Sequence, residues 1–357
     1  MTVLHIREQG AVVRRHVEQI RVTQQQKETR KQQLLAQTPV RDLQQIVVYG
    51  NVQVTTQAAV LLMEQRVDLV FMTLYGKFVA RLSGSEDQFA QLHQAQMRLV
   101  GNEQAALAVA KKLVQAKLQN QRNTLQALAA QLTGQAPAPN AMNPSAMNPA
   151  AIDSLPKAAT AIEEMRRASS RATDADGLRG YEGRAGASYF GALRALLDPR
   201  WRFDGRKYHP APDPFNALLS FGYALLQKDM TAVVRMVGLN PHLGCFHALE
   251  AGRPSLTLDL MEEFRPLAVD RLLLDLVRTG ALTPADFTFT GNAERPVELG
   301  TALLPKVIAA YEKGMATTLL HRPSGQENTL RRALELQARL FARVVTGERK
   351  EYEGLVA

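Results

Sequence analysis

Apolar and polar positions follow two regimes along the chain. Over residues 1–84 the apolar residues come in short runs, Val3-Leu4-His5-Ile6, Gln19-Ile20-Arg21-Val22, Gln45-Ile46-Val47-Val48-Tyr49-Gly50 and Asp68-Leu69-Val70-Phe71-Met72. Such runs, with turn formers such as Gln9-Gly10 and Tyr75-Gly76 nearby, predict strands. Asn51-Val52-Gln53-Val54 and Lys77-Phe78-Val79-Ala80-Arg81-Leu82 extend the pattern. Thr56 to Gln65 reads instead as one short helix, with Ala59, Leu62 and Met63 on its inner side. Short strands with a single helix predict a small β-sandwich or split sheet.

From residue 86 the period changes. Residues 86–132 are rich in Gln, Ala, Leu and Lys, strong helix formers interrupted at Gly101-Asn102. Val100, Leu107, Val114, then Leu118, Leu125 and Leu132 recur every seven residues, a stripe for a helix or helix pair. Lys111, Lys112, Lys117 and Arg122 read as a solvated face, with phosphate as the rival partner. Residues 133–157 carry Pro137, Pro139, Pro144, Pro149 and Pro156 and a doubled Ala-Met-Asn-Pro, and are expected to form a flexible loop. Beyond it, helices are expected at Phe215–Lys228, Arg265–Gly280, Leu299–Leu320 and Leu330–Thr346. The fold class is therefore α+β: a β-rich domain over 1–84, then a larger, mainly helical domain over 85–357.

Composition narrows the chemistry. The 357 residues exceed one ordinary domain, and 46% hydrophobic content suffices for two cores. A net charge of +9 favours a polyanionic partner. Residues 331–350 alone hold six Arg and Lys against two Glu, which suits either a phosphate-facing stripe or a solvated helix. The single cysteine excludes a disulfide framework and a Cys-rich zinc site, and with no signal core the cytoplasm is expected. No apolar run approaches the ~20 residues needed to cross a bilayer, so no membrane partner is expected.

One stretch concentrates candidate chemistry. His247 precedes Ser255-Leu256-Thr257-Leu258-Asp259-Leu260-Met261-Glu262-Glu263-Phe264-Arg265-Pro266, a short helix with Ser255 as cap and Pro266 as stop. Asp259 and Glu262, three apart, share a face. Two carboxylates beside an imidazole can hold Mn2+, or Mg2+. The same spacing also describes a solvated helix face near a packed histidine. Upstream, Glu182 stands among small residues, with Arg179 and Arg184 beside it suited to phosphate. Its plain alternative is a carboxylate complementing a helix N-terminus.

Four segments occur in order: Gly-Tyr-Glu-Gly-Arg-Ala-Gly-Ala-Ser-Tyr-Phe at 180–190, Pro-Asp-Pro-Phe-Asn-Ala-Leu-Leu-Ser-Phe-Gly-Tyr at 212–223, Gly-Leu-Asn-Pro-His-Leu-Gly-Cys-Phe-His at 238–247 and Leu-Asp-Leu-Met-Glu-Glu-Phe-Arg-Pro at 258–266. Together they resemble the CRISPR-associated integrase/endonuclease family, the metal-dependent subunit of spacer acquisition. Ile46–Val54 and Ala116–Arg122 resemble further family segments, so the likeness spans nearly the whole chain. Cys245 stands where the family has an aliphatic residue, and the 133–157 segment looks longer than the family connection.

The resemblance implies that Glu182, His247 and Glu262 are catalytic metal ligands for Mg2+ or Mn2+. Asp259 is then an assisting carboxylate or alternative ligand. Arg179, Arg184, Arg253 and Arg265 are expected to meet DNA phosphates. The family further implies insertion of captured DNA fragments into a CRISPR array by 3′-hydroxyl attack. It implies a homodimer formed mainly through the β-rich domains, double-stranded DNA as partner, and assembly with a small ferredoxin-like adaptation nuclease. A non-catalytic DNA-binding scaffold is the rival reading, and Glu262→Gln separates the two. A hydrolase of small phosphate esters is a third, disfavoured by the basic charge.

Overall fold

The computed structural model describes residues 2–26, 31–72, 78–82, 87–135, 148, 151–207, 210–294, 296–300 and 303–357. The chain divides into two compact units, Met1–Gln94 and Ala95–Ala357. The first holds β1 (Thr2–Ile6), β2 (Ala11–His16), β3 (Gln19–Gln25), β4 (Gln32–Pro39), β5 (Leu43–Tyr49), β6 (Gln53–Val54), α1 (Thr56–Glu64), β7 (Asp68–Met72) and β8 (Phe78–Leu82). Two four-stranded sheets form, ordered β1-β5-β7-β8 and β4-β3-β2-β6. Strands β1, β5 and β7 pair in parallel, and β8 closes the edge antiparallel. The near-continuous apolar runs of β5 and β7 suit parallel strands covered on both faces. A parallel return needs a crossover, which α1 supplies, capped by the Thr55 hydroxyl accepting from the Ala58 amide. Tyr75, Gly76 and Lys77 of the expected turn and strand lie outside the described residues.

Strands β2 and β4 were not expected. In β2 only the first three residues alternate, and β4 is polar and largely exposed, so neither carries a strong periodic signal.

The larger unit takes up the chain within α2 (Asp87–Gly101), followed by α3 (Glu103–Leu132), α4 (Ser154–Ser169), α5 (Ala175–Leu196), α6 (Pro214–Val237) and α7 (Ser255–Met261). A wide helical turn over Arg265–Asp270 then leads into α8 (Arg271–Arg278). The hairpin β9 (Phe287–Phe289) and β10 (Val297–Leu299), α9 (Leu304–Met315), the hairpin β11 (Thr318–His321) and β12 (Gln326–Thr329), and α10 (Leu330–Val345) complete it. The break at Gly101-Asn102 is a cap: the Asn102 side chain accepts from the Ala105 amide and starts α3.

Several expectations are corrected. The 133–157 loop does not extend to 157, because α4 begins at Ser154; Pro156 sits in its first turn, where a missing N–H leaves no helical bond unmade. Residues 136–147 of that loop lie outside the described residues. Pro266 does not stop the helical path, since it begins the wide turn and the chain continues into α8. Ser255 does not cap α7; Pro254 holds that position, and the Ser255 hydroxyl donates to the Ala248 carbonyl. The helix expected at Leu299–Leu320 shrinks to α9, with strands on both sides.

Close packing positions the site. At Gly222 on α6 an added Cβ would stand 2.5 Å from Val269 Cγ1, so glycine lets the wide turn press against this helix.

Candidate metal centre

Four elements of the helical unit converge on one cluster. α3 brings Lys117, α5 brings Glu182, the loop before α7 brings His247, and the residue following α7 is Glu262. Lys117 Nζ lies 2.6 Å from Glu262 Oε2 and also pairs with Glu182. His247 Nε2 is 3.7 Å from Glu262 Oε1, and Arg265 reaches that oxygen at 3.2 Å. Side-chain exposures are 24% for Glu182, 18% for His247 and 4% for Glu262, which grade from the cleft mouth inward. Glu182, far away in sequence, thus reaches the His247–Glu262 corner through a shared ammonium.

Asp259 builds the loop that carries His247. Its carboxylate is fully buried and accepts backbone N–H bonds from Cys245, Phe246 (2.9 Å) and His247 (2.9 Å). It also accepts a hydrogen bond from His247 Nδ1 at 2.7 Å. A carboxylate can only accept here, so Nδ1 carries a hydrogen and Nε2 is the nitrogen turned toward Glu262. The oxygens of Asp259 are thus spent on the loop and on the imidazole, in keeping with an assisting carboxylate. Gly244 is required beside it: a Cβ would come within 2.6 Å of Asp259 Oδ2 and of the Ser255 carbonyl carbon.

Glu263, next in sequence, points elsewhere and anchors the backbone. Its carboxylate accepts from Gln337 Nε2, the Tyr352 hydroxyl and the Leu355 amide, each at 2.8 Å. Asn120 Nδ2 on α3 donates to the carbonyls of Glu263 and Leu355, tying α3, the segment after α7 and residues 352–357 together. Burial pushes the Glu263 carboxyl up to about 7, against the pull of these donors.

The electrostatics of Glu262 run the other way. Burial alone would raise its pKa, but Arg265 and Lys117 outweigh that and lower it to about 2. Burial likewise opposes the charge on Lys117, and Glu262 and Glu182 more than restore it, so the ammonium is held charged. Asp270, on the same cleft, is raised to about 6 by burial, opposed by the Tyr223 hydroxyl it accepts at 2.7 Å.

Beside the cluster opens a cavity of about 560 Å3, lined by Lys117, Glu182, Gly183, Tyr223, Arg265 and Asp270 among others, with His247 and Glu262 behind Lys117 and outside its lining. Of the arginines read as phosphate contacts, Arg184 is exposed over the Tyr181 ring. Arg253 is surface-placed and paired with Glu250 at 3.0 Å. Arg179 is half committed: it pairs with Asp176 and donates to the Phe246 carbonyl at 2.9 Å, bracing the His247 loop. Arg265 lines the cleft with a side chain 12% exposed, paired with Glu262 and stacked over Tyr223, where it neutralises that carboxylate.

Lys117 is the site residue that sequence reasoning missed, because helical periodicity alone left it among solvated lysines. The signal available was its place in the Lys-Leu-Gln-Asn-Gln-Arg segment of a helix whose neighbouring positions are buried.

The donor set fits a hard divalent cation: two carboxylates and an imidazole whose Nε2 faces one of them. Among the described residues no three His, Cys, Asp or Glu side chains close on one point; Glu182 and Glu262 instead meet on the Lys117 ammonium.

A buried, charge-balanced carboxylate–histidine cluster in a basic helical unit, joined to a β-rich unit, describes an α+β protein with a candidate cation site. Residues 4–313 match the family model described as CRISPR associated protein Cas1, and the chain belongs to that family. It is 32% identical over 326 residues to the CRISPR-associated endonuclease Cas1 1 of Moorella thermoacetica, covering 90% of each chain. Among solved structures it resembles a casposase bound to integration product, with a TM-score of 0.73, 20% identity and 99% and 98% of the two chains covered. It also resembles a chain of a partial Cas6-RT-Cas1–Cas2 complex, with a TM-score of 0.72, 20% identity and the same coverage. Among the described residues no helix is long and apolar enough to cross a membrane.

Proposed function

We propose that this chain is a metal-dependent DNA integrase and endonuclease that inserts captured DNA fragments into a CRISPR array. The observation that carries the reading is the Lys117 ammonium drawn between Glu182 and Glu262, beside an imidazole whose Nε2 faces the same corner. Glu182, His247 and Glu262 would hold Mg2+ or Mn2+, which when bound supplies charge neutralisation at a phosphodiester.

The chain's own groups define the rest. Asp259 holds a hydrogen on His247 Nδ1 and so leaves Nε2 as the nitrogen that would meet the metal, not a general base. Arg265 and Lys117 keep Glu262 ionised in a buried place. In strand transfer a 3′-hydroxyl of the fragment forms a new P–O bond as the array strand's P–O bond breaks, so no protein nucleophile is needed. Charge and orientation at the cleft are what the residues provide.

The net charge of +9 supports a DNA partner, with binding that weakens as salt rises. The likeness to a chain of a Cas1–Cas2 assembly supports a small ferredoxin-like nuclease as second partner, and a homodimer through the β-rich unit completes the reading.

Glu262→Gln tests it. Strand transfer should fall by roughly a thousandfold with fragment binding retained. Transfer unchanged from the wild type would leave a DNA-binding scaffold.

A further inference from the structure

We propose that Lys117 is an internal cation that competes with the divalent metal for Glu182 and Glu262, moving to Gln121 when the metal takes those oxygens. The inference rests on the metal reading above. Its geometry is independent of it.

The ammonium is held at the centre of the carboxylate pair, 2.6 Å from Glu262 Oε2 and bonded to Glu182, on a side chain only 9% exposed. An ammonium and a divalent ion cannot share those oxygens at such range. At that range their repulsion is twice that of two unit charges and is poorly screened in a buried site. Either the metal stays out or the ammonium leaves.

A second seat exists one helical turn along. Gln121 lies four residues after Lys117 on α3, where side chains meet. It is 2% exposed and lines the same cleft as Lys117, and its Oε1 is buried without a hydrogen-bond partner. A buried carbonyl oxygen left unpaired costs free energy, so an acceptor of this kind calls for an explanation. An ammonium arriving from the carboxylates would satisfy it.

Two seats for one cation make Lys117 a regulator of metal affinity. With the metal absent it holds two like charges together; with the metal present it moves aside. A lysine with a purely structural role would stabilise the cluster without opposing the metal.

Calorimetric titration of the full chain with Mn2+ alone distinguishes these roles. Lys117→Met should bind Mn2+ at least about tenfold more tightly than wild type, while melting at a lower temperature without metal. Gln121→Leu, which removes only the second seat, should bind Mn2+ several-fold more weakly. Equal or weaker binding by Lys117→Met overturns the proposal. Should that variant not fold, Gln121→Leu decides: weakened binding supports the exchange, and wild-type affinity overturns it. His247→Ala serves as reference. If wild type and His247→Ala both fail to bind Mn2+, the metal reading itself falls, and this proposal with it. Wild type binding with both test variants unchanged would defeat only the exchange.

Discussion

The two units bury opposite things. The core of the β-rich unit is Ile6, Val13, Ile20, Ile46, Leu61, Leu69 and similar residues, with Asp68 as its buried carboxylate, paired to Arg81 at 2.5 Å. The helical unit also has a large apolar core, but sinks Lys117, Asp259, Glu262, Glu263, Asp270 and Arg278 into its interior. Taking ions out of water costs several kcal/mol each, and a buried pair is often no more stabilising than well-packed apolar residues of similar size. An interior built only for stability would therefore resemble the first unit. Lys117, Glu262 and Asp270, which meet at or beside one cleft, mark the place where charge is kept at a cost in stability.

Mutations can sharpen or break this contrast. The largest effect on stability belongs to the apolar core. Ile46→Ala, at a fully buried position, should lower unfolding free energy by about 2–5 kcal/mol in a denaturant titration and leave Mn2+ affinity unchanged. A change in metal affinity would mean that the two cores are not independent.

In the helical unit, pH does what truncation does in the other. The folded protein holds the Asp270 proton more tightly than an unfolded chain, its pKa raised from the ordinary 3.8 to about 6. Its contribution is therefore complete below about pH 4 and lost as pH rises to about 6, amounting to roughly 3 kcal/mol. Asp270→Asn, which keeps an acceptor for Tyr223, should flatten that part of the stability curve. An unchanged slope would place the titration elsewhere.

Asp259→Asn follows. The amide would present donors to amides that already donate, and should loosen the His247 loop. Mn2+ affinity should drop by roughly ten- to a hundredfold in calorimetry. Wild-type affinity would show that the loop is held without it. The smallest effect should come at the surface: Arg253→Ala breaks an exposed pair with Glu250 at 3.0 Å and should cost less than about 1 kcal/mol of thermal stability.

Much of this arrangement was legible in one dimension. The runs at β5 and β7 announced buried strands because their apolar residues are contiguous, and α10 appeared almost to the residue because its stripe is regular. Elements lacking such a period, β4 and the two short hairpins of the helical unit, were not. Pro266 misled for a local reason: a proline predicts an ending, yet the wide turn makes room for it and packing against α6 at Gly222 keeps the chain helical.

Sequence alone determined the α+β class, the basic charge and the ordered segments that carry Glu182, His247 and Glu262, since these depend on composition and local order. Only the tertiary structure decided that Asp259 serves the loop, that Arg265 turns inward, and that Lys117 stands between two carboxylates. Those roles depend on distances between side chains 65 to 145 positions apart or on which way a buried group faces, and a linear pattern holds neither.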